Sequence, residues 1–338
     1  MPDHCFFSVD PPVQLSYFTS LISILLAITT TTGNFLIILA VIRDPQRNLR
    51  TPFAYFLTNL TLSDFVVGIL AMPVSVVFHY QEAKRQMDPN FPYILHLTYF
   101  VSASASLFSM AAMCIDRYHA FISLTTNHRR LTSLRCIVIS IFTWLLAGAF
   151  SSFYFLTGYV TLLMIYVHVS LITCFGITLL TYLKIVKRMQ SISVYLAPET
   201  DGSRVQNKIA RKKNKNILRE KKVTKAFVTI LVTAVCTYAP SVIFIYILQF
   251  CLSCSCESRH VLRDLAYLLV SASSATNPIV CIVRLSSIRR AIRGSFSCRR
   301  LNDMHGFSSD SNEFTLANRM KQNKSSPEGN ISSITSAL

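Results

Sequence analysis

The sequence predicts an all-α membrane protein, a seven-transmembrane helix bundle with a short amphipathic C-terminal helix. The first of three supporting observations is composition: 51% of the 338 residues are hydrophobic and only 14% are charged, whereas a soluble domain carries about 25% charged residues. Second, long uncharged stretches recur along the chain. Third, most of the basic residues, which give a net charge of +17, fall between those stretches.

The first three uncharged stretches predict helices 1, 2 and 3. Residues 15–42 and 91–115 contain no charged residue, and residues 53–80 contain only Asp64. Each stretch is longer than the about 20 apolar residues that a helix needs to cross the hydrocarbon core of a bilayer.

The longest uncharged stretch predicts two helices rather than one. Residues 136–183 cover 48 positions, which as a single helix at about 1.5 Å per residue would reach about 70 Å. Because that is about twice the thickness of the hydrocarbon core, we expect the chain to turn back at Thr157-Gly158, giving helices 4 and 5. Residues 226–256 and 265–283 supply helices 6 and 7.

The distribution of basic residues predicts the orientation of the bundle. All but four of the 33 Lys and Arg lie in the segments that join helices 1–2, 3–4 and 5–6 and in the C-terminal tail; the exceptions are Lys84, Arg85, Arg259 and Arg263. The positive-inside rule therefore predicts an extracellular N-terminus and a cytoplasmic C-terminus. The excess positive charge indicates attraction to anionic membrane lipids rather than binding to nucleic acid.

The segments outside the spans complete the predicted domain organisation. Residues 1–14 form an outer tail, residues 15–284 the bundle, residues 285–298 the amphipathic helix and residues 299–338 a disordered cytoplasmic tail. The stretch "QEAKRQMDPN" after helix 2 is predicted to be a polar loop, and the basic run "KIARKKNKNILREKK" to extend the helices into the cytoplasm. In residues 285–298, apolar residues share one helical face among arginines, which is typical of a helix lying on a membrane surface.

Two groups of cysteines lie outside the spans. Cys5, Cys251, Cys254 and Cys256 are on the oxidising outer side, and "CLSCSC" is expected to contain a disulfide, although the pairing cannot be predicted from sequence. Cys298, after the amphipathic helix, is either a lipidation site or a plain exposed thiol.

Asp64 is the one acid in the middle of a predicted span. A lone carboxylate there is costly, so we expect it to face the bundle interior and to have a partner. Asn34, Ser106 and Asn277 are candidate neighbours, and Pro278 is expected to distort helix 7 and free backbone carbonyls at that depth. The group is either a hydrogen-bonded neutral acid or a cation or proton site, with sodium as the candidate ion because hard cations favour oxygen ligands.

A set of motifs in fixed order gives the chain a family resemblance. They are "GNFL" in helix 1, "NLRTP" in the first inner loop, "NLTLSDFVVG" in helix 2, "DRYHA" after helix 3, Trp144, Tyr182, Pro240 and "NPIV" in helix 7. With these motifs, the chain resembles the rhodopsin-like (class A) G-protein-coupled receptors over residues 15–297.

The resemblance implies a switch at the cytoplasmic end of helix 3. It implies that Arg117, held by Asp116, bonds across to an acid on helix 6 at rest and is released toward a G protein on activation. Glu220 stands where that acid would be, unless it is simply a solvated residue of the basic segment. The residues implied in this switch and in G-protein docking are Asp116, Arg117, Tyr118, Leu124, Tyr182 and Glu220.

Two departures from the family pattern affect the predicted activation pivot. Helix 6 reads "CTYAP", so Tyr238 before Pro240 replaces the usual tryptophan. Helix 7 has Cys281 where the family usually has the tyrosine that follows Asn-Pro. Pro240 and Pro278 remain as candidate pivots.

The outer half departs further from the common pattern. Pro92 replaces the usual bridging cysteine, and helix 5 has Cys174 and Gly176 but no proline. These features resemble the melanocortin receptors and their lipid- and adenosine-receptor relatives. The acids that hold melanocortin peptides and calcium have no counterpart, because Val74, Pro92 and His96 fill those positions.

The resemblance also allows two ligand classes to be tested. Tyr99 stands where amine receptors have an aspartate, and Ser271 stands where opsins have the retinal-binding lysine, so neither ligand is expected. A small neutral molecule, a lipid or a short peptide is predicted instead. For each candidate pocket residue taken alone, helix packing is the more common role. The candidates are His96, Tyr99, Tyr166, Ser170, Tyr246 and Tyr267, with Arg263 and Asp264 at the rim.

The function predicted from these features is that of a plasma-membrane receptor that signals to heterotrimeric G proteins through movement of helix 6. Arrestin and a receptor kinase are candidate partners of the Ser-rich tail. The alternatives are a non-signalling or partner-dependent receptor and a transporter, although transporters commonly have internal repeats and several intramembrane charges. The sequence contains no pattern typical of an enzyme, and sodium is the one candidate cofactor.

Overall fold

The computed structural model describes residues 11–44, 49, 51–86, 91–125, 131–170, 204–251 and 253–296, and six single positions between 176 and 187. Within these ranges the side chains of residues 121–125, 159–160, 170, 204–217, 219–220 and 296 are not described. The described helices are α1 (Val13–Arg43), α2 (Pro52–Ala83), α3 (Phe91–Thr125), α4 (Ser133–Ser152), α5 (Tyr154–Ser170), α6 (Arg204–Phe250), α7 (Cys256–Arg284) and α8 (Ser286–Phe296).

Six helical segments of the described residues are long and apolar enough to cross a membrane. They are Val13–Arg43, Pro52–Ala83, Phe91–Ala120, Ser133–Gly158, Lys221–Phe250 and Cys256–Arg284. The predicted fifth span begins in α5 and continues into residues that are only partly described. The predicted turn is confirmed within the bounds of α5, where Gly158 interrupts the helix with a non-helical φ of 76° and ψ of 175°. Glycine adopts this conformation far more readily than other residues.

Three helices begin at side-chain caps. Thr51 precedes Pro52 and accepts a hydrogen bond from the backbone N–H of Ala54 at 3.3 Å. Thr132 caps α4 and Ser255 caps α7 in the same way. Each hydroxyl satisfies a backbone donor that has no partner inside the helix.

Helix α2 contains a π-helical turn, Val67–Ala71, directly after Asp64. Pro73 follows it, and a proline removes a backbone hydrogen bond and crowds the preceding turn. A π turn changes the direction of a helix and often occurs near functional residues. Within this turn, a Cβ on Gly68 would lie 2.6 Å from the Thr31 hydroxyl oxygen, so glycine permits α1 and α2 to pack closely.

The packed core of the bundle lies between α1, α2, α3, α6 and α7, with residues of α8 at one end. Large side chains at its centre are fully buried, among them Ile37, Leu57, Met113, Phe227 and Ile230. Large apolar side chains of α4 are exposed instead, including Leu134, Phe142 and Leu145. Apolar surface on this scale is expected on a helix that faces lipid.

Helix α8 lies within the predicted range 285–298. Ile288 and Ala291 are buried against the core, and Arg289 Nη1 donates to the carbonyl oxygen of Ile282 at 2.9 Å. Because the last carbonyls of a helix lack internal partners, Arg289 caps α7. The chain divides after Ile292 into two units, and residues 293–296, the last turn of α8, are the described part of the second.

Several predicted boundaries are corrected by the structure, among them the end of helix 6, which lies at Phe250 rather than at residue 256. Helix α1 begins at Val13 rather than at residue 15, and α7 begins at Cys256 rather than at residue 265. Residues 81–83 belong to α2 rather than to a polar loop. The polar ends of these helices lower their hydropathy but still form hydrogen-bonded turns. The basic run is helical, as predicted, because the backbone of α6 begins at Arg204.

The close contact of α1 with α7 gives a testable prediction. A Cβ on Gly33 would lie 2.8 Å from Cγ of Pro278, whereas a Cβ on Gly148 of α4 would meet no atom within 4 Å. We expect Gly33→Ala to lower the free energy of unfolding by about 1–3 kcal/mol through overpacking. Gly148→Ala, the matched control, should be neutral or slightly stabilising. Thermal unfolding in nanodiscs measures both, and equal melting temperatures would contradict the contact.

Candidate functional site

Asp64 lies at the centre of a polar network that joins three helices. Its carboxylate is fully buried and accepts hydrogen bonds from Ser106 Oγ of α3 at 3.2 Å and from Ser274 Oγ of α7 at 2.8 Å. Asn277 Nδ2 donates to the second carboxylate oxygen at 2.8 Å. The structure thus brings Ser106 and Asn277 to Asp64, as the sequence predicted, and adds Ser274, which the sequence analysis missed.

Asn34 joins this network indirectly. Its Nδ2 donates to the carbonyl oxygens of Thr30 at 2.9 Å and Ser274 at 3.3 Å. The carbonyl of Ser274 is the one that Pro278, four residues later, cannot engage because proline has no N–H. Asn34 therefore satisfies the carbonyl that the proline leaves free, and Gly33 allows α1 to come close enough for it to do so.

Two buried amide oxygens of this network remain without a donor among the described residues. They are Oδ1 of Asn34 and Oδ1 of Asn277. Unsatisfied acceptors are costly in the interior of a protein, and a cation would satisfy them. The donor set around Asp64 consists of carboxylate, hydroxyl and amide oxygens, which suits a hard cation.

A second buried network positions α3 between α2 and α4. Asn59 Nδ2 donates to Ser109 Oγ at 2.7 Å and to Thr143 Oγ1 at 3.0 Å. Trp144 Nε1 donates to Asn59 Oδ1 at 3.0 Å. All these groups are satisfied by one another, so the network fixes the packing of the three helices.

We call the end of the bundle that contains Arg117 the arginine end. Arg117 is buried and bonds to Asp116 through Nη2 at 2.6 Å and Nε at 3.1 Å. Its guanidinium also lies 4.6 Å from the ring centroid of Phe53 in α2. An adjacent carboxylate and a cation–π contact thus hold the arginine in place.

A cavity of about 330 Å³ opens beside this arginine. Arg117, Asp116, His119 and Val223 of α6 contribute to its wall. The partner predicted for Arg117, Glu220, lies one helical turn before Val223, but its side chain is outside the described residues. Those of Leu124 and Tyr182 are outside them too, whereas the ring of Tyr118 is described and packs 4.9 Å from Nζ of Lys184.

The predicted activation pivots lie inside α6 and α7. Tyr238 is buried in the main core, and Pro240 and Pro278 interrupt the backbone hydrogen bonding of their helices. Ser241 Oγ donates to the carbonyl oxygen of Ala266 at 3.3 Å, so α6 and α7 are tied together beside Pro240.

Contacts through Phe100 and Tyr154 link four of the six candidate ligand residues: His96, Tyr99, Tyr166 and Tyr267. Tyr99 and Tyr267 lie together, with ring centroids 6.0 Å apart. Tyr166 is buried against Phe100, whose ring also lies 6.2 Å from that of Tyr99 and 6.5 Å from that of Tyr154. His96 Nδ1 lies 3.1 Å from the hydroxyl oxygen of Tyr154, and the hydroxyl oxygen of Tyr246 lies 3.1 Å from His168 Nε2. The side chain of Ser170 is not described.

The opposite end of the bundle, which we call the disulfide end, carries a buried ionic cluster. Arg263 pairs with Glu82 of α2 through Nη1 at 2.9 Å and with Asp264 through Nε at 2.8 Å. His79 Nδ1 lies 3.1 Å from Glu82 Oε2 and 3.8 Å from Asp264 Oδ2. The sequence analysis placed Arg263 and Asp264 at the rim of the candidate pocket, and the structure shows that both contact α2.

The predicted disulfide is present at this end. Cys251 and Cys254 are bonded, with Cα atoms 5.7 Å apart, and Cys256 is also disulfide-bonded. Cys5 and the lipidation candidate Cys298 lie outside the described residues. Arg259 Nη1 donates to the carbonyl oxygen of Leu248 at 3.0 Å, so it caps the end of α6 next to the disulfide.

Ser274, which sequence reasoning missed, belongs to a pattern that could have identified it. Polar side chains recur along α7 at intervals of three or four positions, which places them on one face of a helix. That face joins the ionic cluster to the Asp64 network, and the ring centroid of Tyr267 lies 6.0 Å from that of His79. The residues of this face are Asp264, Tyr267, Ser271, Ser274 and Asn277.

Comparison with known proteins defines the class of protein. The family model of the 7 transmembrane receptor (rhodopsin family) matches residues 33–280. The structure is similar to the crystal structure of squid rhodopsin with a TM-score of 0.71 and 17% identity, over 84% of this chain and 86% of that chain. At that identity, the likeness shows the seven-helix fold.

Three of the similar curated proteins bind different ligands according to their names. The Dopamine D2-like receptor of Drosophila melanogaster is 32% identical over 39% of this chain and 14% of its own length. The Adenosine receptor A3 of Canis lupus familiaris is 31% identical over 40% of each chain. The Histamine H4 receptor of Homo sapiens is 29% identical over 41% of this chain and 34% of its own length. The chain therefore spans less than half the length of each of these relatives.

The chain belongs to the rhodopsin family of seven-transmembrane receptors. This confirms the predicted family, the seven-helix bundle and the multi-pass membrane location. The family is one of receptors rather than enzymes, which confirms that prediction too and favours a receptor over the transporter alternative.

Proposed function

We propose that this receptor passes the signal of an extracellular ligand to a heterotrimeric G protein that docks at the arginine end. The observation that carries the proposal is that Asp116 and Phe53 restrain Arg117 in the wall of the cavity. A buried arginine held by a neighbouring carboxylate and a ring has an alternative state in which these contacts are exchanged for contacts with a partner protein.

The proposed activating movement is an outward displacement of α6. Val223 of α6 lines the cavity beside Arg117, so displacement of this helix would widen it. Because ion pairs and packed helices have discrete arrangements, the movement would convert this cavity into a wider groove in which the G protein docks. The ligand would act only through its preference for the open arrangement.

We propose a plasma-membrane location with the disulfide end outside the cell. The excess of Lys and Arg at the arginine end supports this orientation, and so does the disulfide, which is typical of an oxidising compartment. The arginines of α8 then face anionic lipids of the inner leaflet. The Ser-rich tail would supply sites for a receptor kinase and for arrestin.

The ligand is proposed to be uncharged: a small neutral molecule, a lipid or a short peptide. Tyr99, packed against Tyr267 at 6.0 Å, stands where the family resemblance places the acid that binds amines. This argues against dopamine or histamine despite the names of those relatives. A neutral ligand is in keeping with the adenosine receptors among the similar proteins.

A receptor that does not signal alone is the second candidate. Cys281 is fully buried at the position where the family usually has a tyrosine, and a thiol cannot replace the long-range hydrogen bond of a phenol. The nucleotide-exchange experiment below distinguishes this candidate from the first.

We further propose that the Asp64 network binds a sodium ion. Carboxylate and hydroxyl oxygens of Asp64, Ser106 and Ser274 converge there, and the buried amide oxygens of Asn34 and Asn277 have no other partner among the described residues. No imidazole or thiolate is part of this oxygen set, which suits an alkali ion better than a transition metal.

The first prediction concerns the restraint of Arg117. We expect Asp116→Asn and Phe53→Leu to raise basal nucleotide exchange, and Arg117→Ala to reduce it by about tenfold or more, because hydrogen bonds to a charged group contribute about 1.5–3 kcal/mol. Exchange is measured with several Gα subtypes in parallel at matched receptor levels. Arg135→Ala, an exposed arginine of α4, is the control and should be unchanged.

If neither Asp116→Asn nor Phe53→Leu raises exchange with any Gα subtype above a receptor-free control, the coupling proposal is wrong. That result would favour the receptor that does not signal alone.

The second prediction concerns sodium. Replacing choline by sodium at constant ionic strength should raise the melting temperature of the receptor in nanodiscs, and Asp64→Asn should abolish the effect. Ser274→Ala should weaken the apparent sodium affinity by about tenfold, as loss of an ordered neighbour of a metal site commonly does. Thr276→Ala is the control, since its hydroxyl bonds only within its own helix. A sodium effect that survives in Asp64→Asn would contradict the proposal.

The third prediction concerns orientation. An epitope tag at the N-terminus should be accessible to antibody on intact cells, because few basic residues lie at that end. The same tag inserted after Lys213 should become accessible only after permeabilisation. Staining of the Lys213 insertion on intact cells would reverse the proposed topology.

A further inference from the structure

Three side chains of metal-binding type meet at the disulfide end, away from the Asp64 network. His79 and Glu82 lie on the last turns of α2, and Asp264 lies on the first turns of α7. One ligand atom of each lies within 4.8 Å of the other two. The imidazole and Asp264 are almost completely buried, and the Glu82 side chain is 8% exposed. Buried groups of this kind are normally paired or coordinate a metal.

The chemistry of the donor set favours a transition metal over calcium or magnesium. Imidazole nitrogen suits zinc and its neighbours, whereas calcium and magnesium select oxygen ligands. Zinc lies about 2.0–2.2 Å from nitrogen and oxygen ligands, so its ligand atoms are about 3.2–3.6 Å apart. Separations of 3.1 Å and 3.8 Å from His79 Nδ1 to the two carboxylate oxygens approach this geometry, and small side-chain shifts complete it.

Hydroxyls of α1 hold the carboxylates in position. Ser16 Oγ donates to Glu82 Oε2 at 2.9 Å, and Thr19 Oγ1 donates to Asp264 Oδ2 at 2.8 Å. Both oxygens are those that face His79. Asp264 Oδ2 keeps a second lone pair for a metal, whereas that of Glu82 Oε2 is occupied by Arg263 when no metal is bound. Hydrogen bonds of this kind orient metal ligands in known sites.

Arg263 neutralises the same carboxylates when no metal is bound. It bonds to Glu82 Oε1 at 2.9 Å and to Asp264 Oδ1 at 2.8 Å, the oxygens on the side away from His79, and makes a further bond to Glu82 Oε2 at 3.0 Å. Its side chain is 21% exposed, so it lies between the cluster and the surface. A divalent cation must therefore compete with this guanidinium for one oxygen and against its positive charge.

We propose that His79, Glu82 and Asp264 form a binding site for a divalent transition metal of the zinc class, with Arg263 as the competing cation. The three protein ligands leave a fourth position for water, as in open zinc sites. A bound ion would bridge α2 and α7 at the disulfide end. It would therefore stabilise whichever arrangement of these two helices keeps the three ligands together.

The test is metal binding by the purified full-length receptor in nanodiscs, with zinc chloride as the probe and thermal unfolding as the readout. Zinc should raise the melting temperature, and magnesium chloride should not. His79→Ala should weaken the apparent zinc affinity by at least about tenfold, since even a supporting group of a metal site contributes about that much. His168→Ala, which removes an exposed histidine of α5, is the matched control and should bind zinc as the unaltered receptor does.

Arg263→Gln gives a result that a merely structural role of the cluster would not produce. Removal of the competing charge should tighten zinc binding by about tenfold, even though loss of its ion pairs lowers the melting temperature without metal. Cobalt(II) supplies a spectroscopic readout: the unaltered receptor should show visible absorption typical of nitrogen and oxygen coordination, and His79→Ala should lose it.

Unchanged zinc affinity in His79→Ala, equal losses in His168→Ala, or weaker binding in Arg263→Gln would each overturn the proposal. If His79→Ala does not fold, Asp264→Asn and Glu82→Gln keep the side-chain volumes and carry the same expectation. None of these outcomes depends on G-protein coupling, so failure of the metal site and failure of the proposed signalling are separate results.

Discussion

The burial of one carboxylate constrains how this bundle is assembled. A polar group away from water must find hydrogen-bond partners inside the protein, and Asp64 of α2 finds them on α3 and α7. These bonds fix the axial positions of the three helices relative to one another, since a shift by one residue, about 1.5 Å, would break most of them. Asn34 adds α1 through the carbonyl that Pro278 leaves free. One acid thus fixes the relative positions of four helices.

That alignment determines what meets at each end of the bundle. Arg117 follows Ser106 by 11 residues on α3, a rise of about 17 Å at ~1.5 Å per residue, which brings it beside Phe53 of α2. In the opposite direction, Asp264 precedes Ser274 by 10 residues, about 15 Å, which brings it beside His79 of α2. The restrained arginine and the ionic cluster are therefore both consequences of the alignment that the central carboxylate sets.

The sequence predicted features that depend on local composition or on a single position. The uncharged stretches predicted the spans, and Gly158 predicted the turn. Because Asp64 is the lone acid within a span, it was predicted to need partners, and two of its hydrogen-bond donors were identified. Ser274 and the pairing of Glu82 with Arg263 were missed because each depends on how two helices face each other. The contacts among the pocket candidates could not be predicted for the same reason: hydropathy does not give helix rotation, so the packing of Tyr166 and Tyr99 against Phe100 was not foreseen.

The same contacts limit how a signal can cross this receptor. A movement of α7 relative to α2 must break the Arg263–Glu82 pair at one end and the Asn277–Asp64 bond in the middle, so a ligand that drives it has to supply interactions that offset both. At the arginine end, Cys281 offers no hydroxyl with which α7 could reach across to Arg117. The contacts that reach Arg117 among the described residues include those of its neighbour Asp116 and of Phe53 in α2. In this chain, therefore, α2 is connected both to the ionic cluster and to the arginine, and its π turn lies between the two.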